Sequence, residues 1–130
     1  RLERVAMSRL TIVLQDERPL SWNKFYAGSH WTKRKAAKDA AKLAVRRALP
    51  DEVINGEGWP AAGPVRITVT AYMNRQLLDV DNVCTKLYVD ALKGWVIKDD
   101  GPDLVTAVTP VVKRSSSPRV ELVIDDDATT

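Results

Sequence analysis

The chain has 130 residues, 45% hydrophobic and 28% charged, with a formal net charge of +3, which suits a single globular domain over 1–130 with a core of its own. No apolar run approaches the roughly 18 residues of a membrane span, and no signal peptide is visible, so no membrane partner is expected. One cysteine, Cys84, and one histidine, His30, exclude an internal disulfide and cysteine-only or multi-histidine zinc sites; any metal would be oxygen-bound, and a reducing cytoplasm is expected.

Leu10, Ile12 and Leu14 alternate with Thr11 and Val13, which predicts a strand over about residues 8–15. Arg18 to Gly28 reads as loop. An alanine-rich helix follows from Thr32 to Leu49, stopped by Pro50. Its small-residue stripe is Ala36, Ala37, Ala40, Leu43, Ala44, Val45 and Ala48, with Lys35, Lys38, Lys42 and Arg46 on another face. Residues 51–63 form a connection. Val65 to Met73 alternates as the cleanest strand, and a second helix spans Asn82–Lys93. Two further strands, Val105–Val112 and Arg119–Ile124, are expected as a hairpin across KRSSSP, before a polar tail at 125–130. The order β-α-β-α-β-β predicts an α+β domain, two helices on one face of a four-stranded mixed sheet.

Charge is unevenly spread. Residues 19–50 hold eight basic residues against one acid, whereas residues 51–130 hold eight basic and thirteen acidic. A basic segment beside an acidic cluster fits a polyanion-binding surface next to a metal site; a solvated helix face explains the basic run alone equally well.

The acidic cluster lies in DVDNVCTKLYVDALKGWVIKDD, residues 79–100. Asn82, Lys86 and Asp90 recur at four-residue steps on one helix face. The stretch from Gly94 to Asp100 reaches up to roughly 20 Å against about 16 Å for the helix, so the chain is long enough to return Asp99 or Asp100 towards Asp79 and Asp81. Three readings compete. In the plainest, Asp81 caps the helix, Lys86 and Asp90 form a surface pair, and Asp99-Asp100-Gly101-Pro102 is a turn. An EF-hand calcium loop fails, because its sixth position is Cys84 where glycine is needed and its twelfth is Asp90 rather than glutamate. The third is a two-part magnesium site for phosphodiester hydrolysis, with Asp79, Asp81 and one of the later pair on the metal and Lys86 offsetting charge on the phosphate.

The pattern Asp79-Val80-Asp81-Asn82, Lys86, Asp90-Ala91-Leu92 and Val96-Ile97-Lys98-Asp99-Asp100 resembles RusA-type Holliday junction resolvases. Ser21 to Gly28 and His30 to Lys35 are similar to the opening of many phage and prophage members, and the resemblance covers about residues 10–124. Lys86 lies five residues after Asp81, where many members have four.

The resemblance implies a homodimeric endodeoxyribonuclease of DNA recombination and repair. It would act on branched, four-way junction DNA with Mg²⁺ or Mn²⁺, in a bacterial cytoplasm or encoded by a phage. Asp79, Asp81 and Asp99 or Asp100 would hold the metal, with Asp79, Asp81, Lys86 and Asp100 as the catalytic set. Lys24, Lys33, Arg34, Lys35 and Lys38 are expected to neutralise phosphates; Phe25 and Tyr26 either stack on unpaired bases or staple the first helix to the sheet. His30 is a candidate phosphate contact or helix-entry residue, and not a general base. Trp31 is expected in the core, Trp22, Trp59 and Trp95 in packing, and Cys84 as a small buried residue. Alternatives are a non-catalytic branched-DNA-binding module and a nuclease for other branched or flap DNA.

Overall fold

Alternation sets the sheet. Along β2 (Val65–Met73), Val65, Ile67, Val69 and Ala71 point into the core. In β1 (Arg9–Gln15) the inward residues are Leu10, Ile12 and Leu14, and in β4 (Arg119–Asp126) they are Val120, Leu122 and Ile124. Each strand thus offers one apolar face, as a half-covered sheet requires. β3 (Val105–Arg114) buries only Val105. The computed structural model describes residues 9–18, 21–26 and 31–127, without the side chains of Asn23 and Tyr26. Residue 8 of the expected first strand, His30 and residues 128–130 of the expected tail lie outside the described residues.

The strands form one mixed sheet in the order β1-β4-β2-β3. β4 runs antiparallel to both β1 and β2, and β2 runs parallel to β3. The expected β3–β4 hairpin is therefore corrected: the chain leaves β3 at Arg114 and crosses the end of β2 to enter β4 on its other side. β2 takes the interior place because its inward side chains are almost fully buried. β3 takes the edge, which suits Pro110, opposite Val69, since proline has no N–H to give a further strand.

Helices α2 (Trp31–Ala48) and α4 (Thr85–Leu92) pack against each other and on β1 and β2, respectively. The architecture is the expected α+β class, with two short helices added. α1 (Trp22–Tyr26) forms where a loop was expected, because the Ser21 hydroxyl accepts the Lys24 N–H at 2.9 Å as a cap. α3 (Asp51–Ile54) follows Pro50, with Asp51 and Glu52 at the favourable positive end of its dipole. On α2 the buried line is Ala41 and Val45, flanked by Ala37, Ala44 and Ala48. Ala36, Ala40 and Leu43, expected in the packed stripe, face solvent instead.

The aromatic assignments divide. Trp59 is buried, and Trp22 and Trp95 pack against the core as expected. Phe25 is only 3% exposed, so its ring is core and has no face for a base. Trp31, expected inside, is 60% exposed at the start of α2.

α4 brings Tyr88 fully inside, where its hydroxyl donates to Glu17 Oε2 at 3.3 Å. Burial pushes the Glu17 carboxyl above its ordinary range, against the Tyr88 bond that favours its charged form. A raised carboxyl pKa means that Glu17 contributes stability below its unfolded pKa, which is lost as pH rises through the folded value. Tyr88→Phe removes the one bond helping the charged form. It should cost about 1 kcal/mol near neutral pH and less once Glu17 is protonated, read from urea midpoints; an equal loss at both pH values would show that the hydroxyl does not support the carboxylate.

Candidate functional site

The acidic segment begins after β2 with one 3-10 turn, Val80–Asn82, which packs against β3. Asp79 stands at the head of this turn in an extended conformation, and its side chain caps nothing. Residue 84, not 81, precedes α4, and Cys84 makes no side-chain cap either, being fully buried. The capping explanation for Asp81 therefore fails. The Asp79 and Asp81 carboxylates are exposed and make no hydrogen bond or ion pair with any described residue. The segment is tied to the residues before α1 by an antiparallel bridge between Ser21 and Val83, and Lys24 lines the same cavity as Leu78, the residue before Asp79.

The second half of the segment assembles around α4. Lys86 Nζ lies 3.3 Å from Asp90 Oδ2, the pair foreseen from their spacing. After α4 the chain turns through Gly94, whose φ of +87° suits a residue without a side chain. Val96 and Ile97 are buried beneath the turn, and this returns Asp100 to α4. There Lys93 Nζ bridges Asp90 Oδ1 at 3.3 Å and Asp100 Oδ2 at 3.2 Å. Asp99 behaves differently: its Oδ1 accepts the Asp100 N–H at 2.8 Å, so it shapes the turn and leaves Asp100 to face the helix.

Lys86, Asp90 and Asp100 line a cavity of about 320 Å³ with Thr85, Val89 and the first residues of β3. Asp90 Oδ1 is excluded from solvent with no well-formed hydrogen bond, its contact with Lys93 being ionic and long. At Asp100, desolvation raises the pKa, but hydrogen bonding and charge from Lys93, with help from Asp99, hold it below its ordinary value. At Lys93, desolvation lowers the pKa, and the bonds to Asp100 and Asp90 raise it overall.

The expected metal set is thus brought together in part. Asp100 meets Asp90 and Lys93, while Asp79 and Asp81 stand on the neighbouring turn. Among the described residues no three acidic, cysteine or histidine side chains form a ready metal-holding group. The donor chemistry nonetheless suits a hard cation, which takes only one or two protein carboxylates beside water and substrate phosphate, and Asp90 Oδ1 is a buried oxygen still short of a good partner. Lys93 was missed from the sequence, although it falls three residues after Asp90 and seven after Lys86 on the same helical line.

Lys24, Lys33, Lys35 and Lys38 are exposed and Arg34 is half-buried. Lys35 pairs with Asp39 at 2.8 Å, which neutralises part of this face. Further along α2, the Arg46 guanidinium lies 5.0 Å from the centre of the Trp95 ring, joining the basic helix to the turn after α4. The side chain of Tyr26 lies outside the described residues. No family model matches the chain, and no curated protein matches it. What the site can do rests on its side chains.

Replacing Lys93 by glutamine leaves Asp90 and Asp100 facing each other without the shared cation. Because the Asp100 pKa is lowered on folding, its contribution is present above the unfolded pKa and is lost as pH falls through the folded one. Lys93→Gln should therefore destabilise near neutral pH and become close to neutral once Asp100 is protonated, as followed by chemical denaturation at both pH values.

Proposed function

We propose that this chain is a Mg²⁺-dependent endodeoxyribonuclease that cleaves branched DNA, with four-way junctions as its substrate. The observation that carries the reading is the pair of exposed, uncommitted carboxylates at Asp79 and Asp81, on the segment that leads into α4, whose Lys86 and Asp90 line a cavity with Asp100. Aspartates serving only as caps or turn formers would have spent their oxygens on backbone N–H groups, as Asp99 does.

In this reading Asp79, Asp81 and Asp100 hold the cation. The chemistry supplied by such a cation, when bound, is a water of lowered pKa and a Lewis acid for a phosphate oxygen. Lys86, exposed at the cavity wall, offsets negative charge on the phosphate. Lys93 keeps Asp90 and Asp100 together without substrate. Lys24 and the basic residues at the start of α2 hold the DNA backbone, giving an affinity that falls steeply with salt. A homodimer supplies two sites about a twofold, one for each of two opposed strands of a junction, and would act in recombination and repair in a bacterial or phage-infected cytoplasm.

One observation favours a second reading. The Lys93 ammonium already stands between Asp90 and Asp100, an arrangement suited to a non-catalytic branched-DNA-binding module. Cleavage of labelled four-way junction, duplex and flap DNA with Mg²⁺, Mn²⁺ or EDTA separates the two. Paired cuts in the junction, lost in EDTA, are expected; tight junction binding without cutting in either metal would favour the module.

Asp79→Asn and Asp81→Asn should each lower junction cleavage by at least about a hundredfold, an effect in the range of removing one electrostatic stabiliser, while binding stays equal or tightens. Wild-type rates in either variant would remove that residue from the metal set. Neutralising Lys33, Arg34 and Lys35 together should weaken binding to every DNA and reduce its salt dependence, measured by titration in EDTA.

A further inference from the structure

A second, larger cavity of about 810 Å³ opens at the end of the sheet where β1 and β2 finish and β4 begins. Its described lining includes Arg18, Lys24 and Arg75, the polar side chains Ser21, Asn74 and Gln76, and the ring of Tyr72, with no acidic residue among them. Arg18 and Arg75 make no ion pair with a described residue. Two guanidiniums without a described counter-charge on one concavity repel each other, and an anion between them relieves the cost.

The walls are held in an unusual way. Only two described residues other than glycine have positive φ, Asp16 at 58° and Gln76 at 49°. Both lie on the loops that form this cleft, one two residues before Arg18 and the other directly after Arg75. Left-handed backbone at residues with side chains is disfavoured and concentrates where a loop is held for a purpose. The second loop is anchored at its base, where Arg114 Nη1 donates to the Asn74 carbonyl at 3.0 Å and the Ser115 N–H to the Met73 carbonyl at 2.9 Å.

Tyr72 adds an aromatic surface. It projects on the sheet face away from the helices, directly opposite Arg119 on β4, whose guanidinium lies 3.8 Å from the ring centre. Arg119 is itself tied to Glu121 at 2.8 Å and to the Ser117 carbonyl at 2.9 Å. The ring is thus backed on one side by a fixed cation and borders the cleft as well.

We infer that this cleft receives an unpaired nucleotide of a DNA strand, its phosphate between Arg18, Lys24 and Arg75 and its base against Tyr72. Cations tracking a backbone beside an aromatic platform are the general means of holding single strands. A duplex keeps its base faces stacked internally, so a ring set within a concavity meets a base only where pairing is broken. Leu78 lines the cleft and is the chain neighbour of Asp79, so a strand seated there lies at the approach to the acidic turn. The inference deepens the nuclease reading and rests on it for the identity of the strand as DNA.

The test is fluorescence anisotropy in EDTA with a labelled oligothymidylate and with a hairpin duplex of equal charge. Arg18→Ala with Arg75→Ala should weaken single-strand binding at least about tenfold and reduce the salt slope by up to about 0.7, the worth of the one phosphate the two residues share. Tyr72→Leu should weaken it at least about fivefold and Tyr72→Phe should keep it, because stacking needs the ring and not the hydroxyl. Unchanged single-strand affinity in the double-arginine variant, or equal losses on single strand and duplex, would overturn the inference. Junction cutting that persists with single-strand binding unaffected by these changes sinks this cleft alone. Absent cutting, with the binding losses as described, sinks the nuclease and keeps the cleft.

Discussion

Five of the eight residues of α4 are buried: Leu87, Tyr88, Val89, Ala91 and Leu92. A helix sunk to that extent has one narrow line left for polar groups, and Lys86, Asp90 and Lys93 share it by helical spacing. The charges meet because the apolar residues occupy every other direction. The same burial drives Val96 and Ile97 under the turn that follows, and that anchoring brings Asp100 back beside the helix. The arrangement of the acidic cavity is therefore a by-product of packing α4 between α2 and the sheet, and its half-buried ion pairs follow from that packing rather than cause it.

Much of this was legible in the residue order. β2 could be read to its exact ends because strict alternation with buried valine, isoleucine and alanine has no helical counterpart. α2 and the body of α4 were legible from their three- and four-residue spacing, as was the Lys86–Asp90 pair, but α4 begins at Thr85 and Asn82, expected on its face, belongs to the 3-10 turn before it. Pairing was not. Two strands six residues apart in order look like a hairpin locally, but β2 is the most fully buried strand and claims the place between them. Burial decides such competition, and burial is a property of the assembled layers. Trp31 was misassigned, and Phe25 left open between two roles, for a related reason: six residues apart beside a helix start, either ring can serve as the wedge, and the Ser21 cap turns Phe25 inward.

The basic concavity was the least legible part. Arg18 and Arg75 are 57 positions apart and belong to no shared pattern; only the pairing of Gln15 and Tyr72 with the same residue, Arg119, brings their loops together. A sequence scan that weighs charge by segment finds the α2 run, where cations are consecutive. It overlooks cations gathered by sheet register. The acidic turn lies between the two cavities, with Leu78 facing one and Lys86 the other.

The register of β4 also governs the order in which the molecule can come into being. β4 lies between β1 and β2 and is the only described strand that pairs with β1, yet it is the last of the described strands in chain order. During synthesis, β1 and the α2 helix precede β4, the described strand that joins β1 to β2. Contacts of such long sequence separation are slow to close, so a nascent chain exposes the inward faces of β1 and β2 until Arg119–Asp126 has left the ribosome. β4 thus acts as the keystone of this sheet, and the interval before it arrives is when this protein most depends on being shielded from association with other nascent chains.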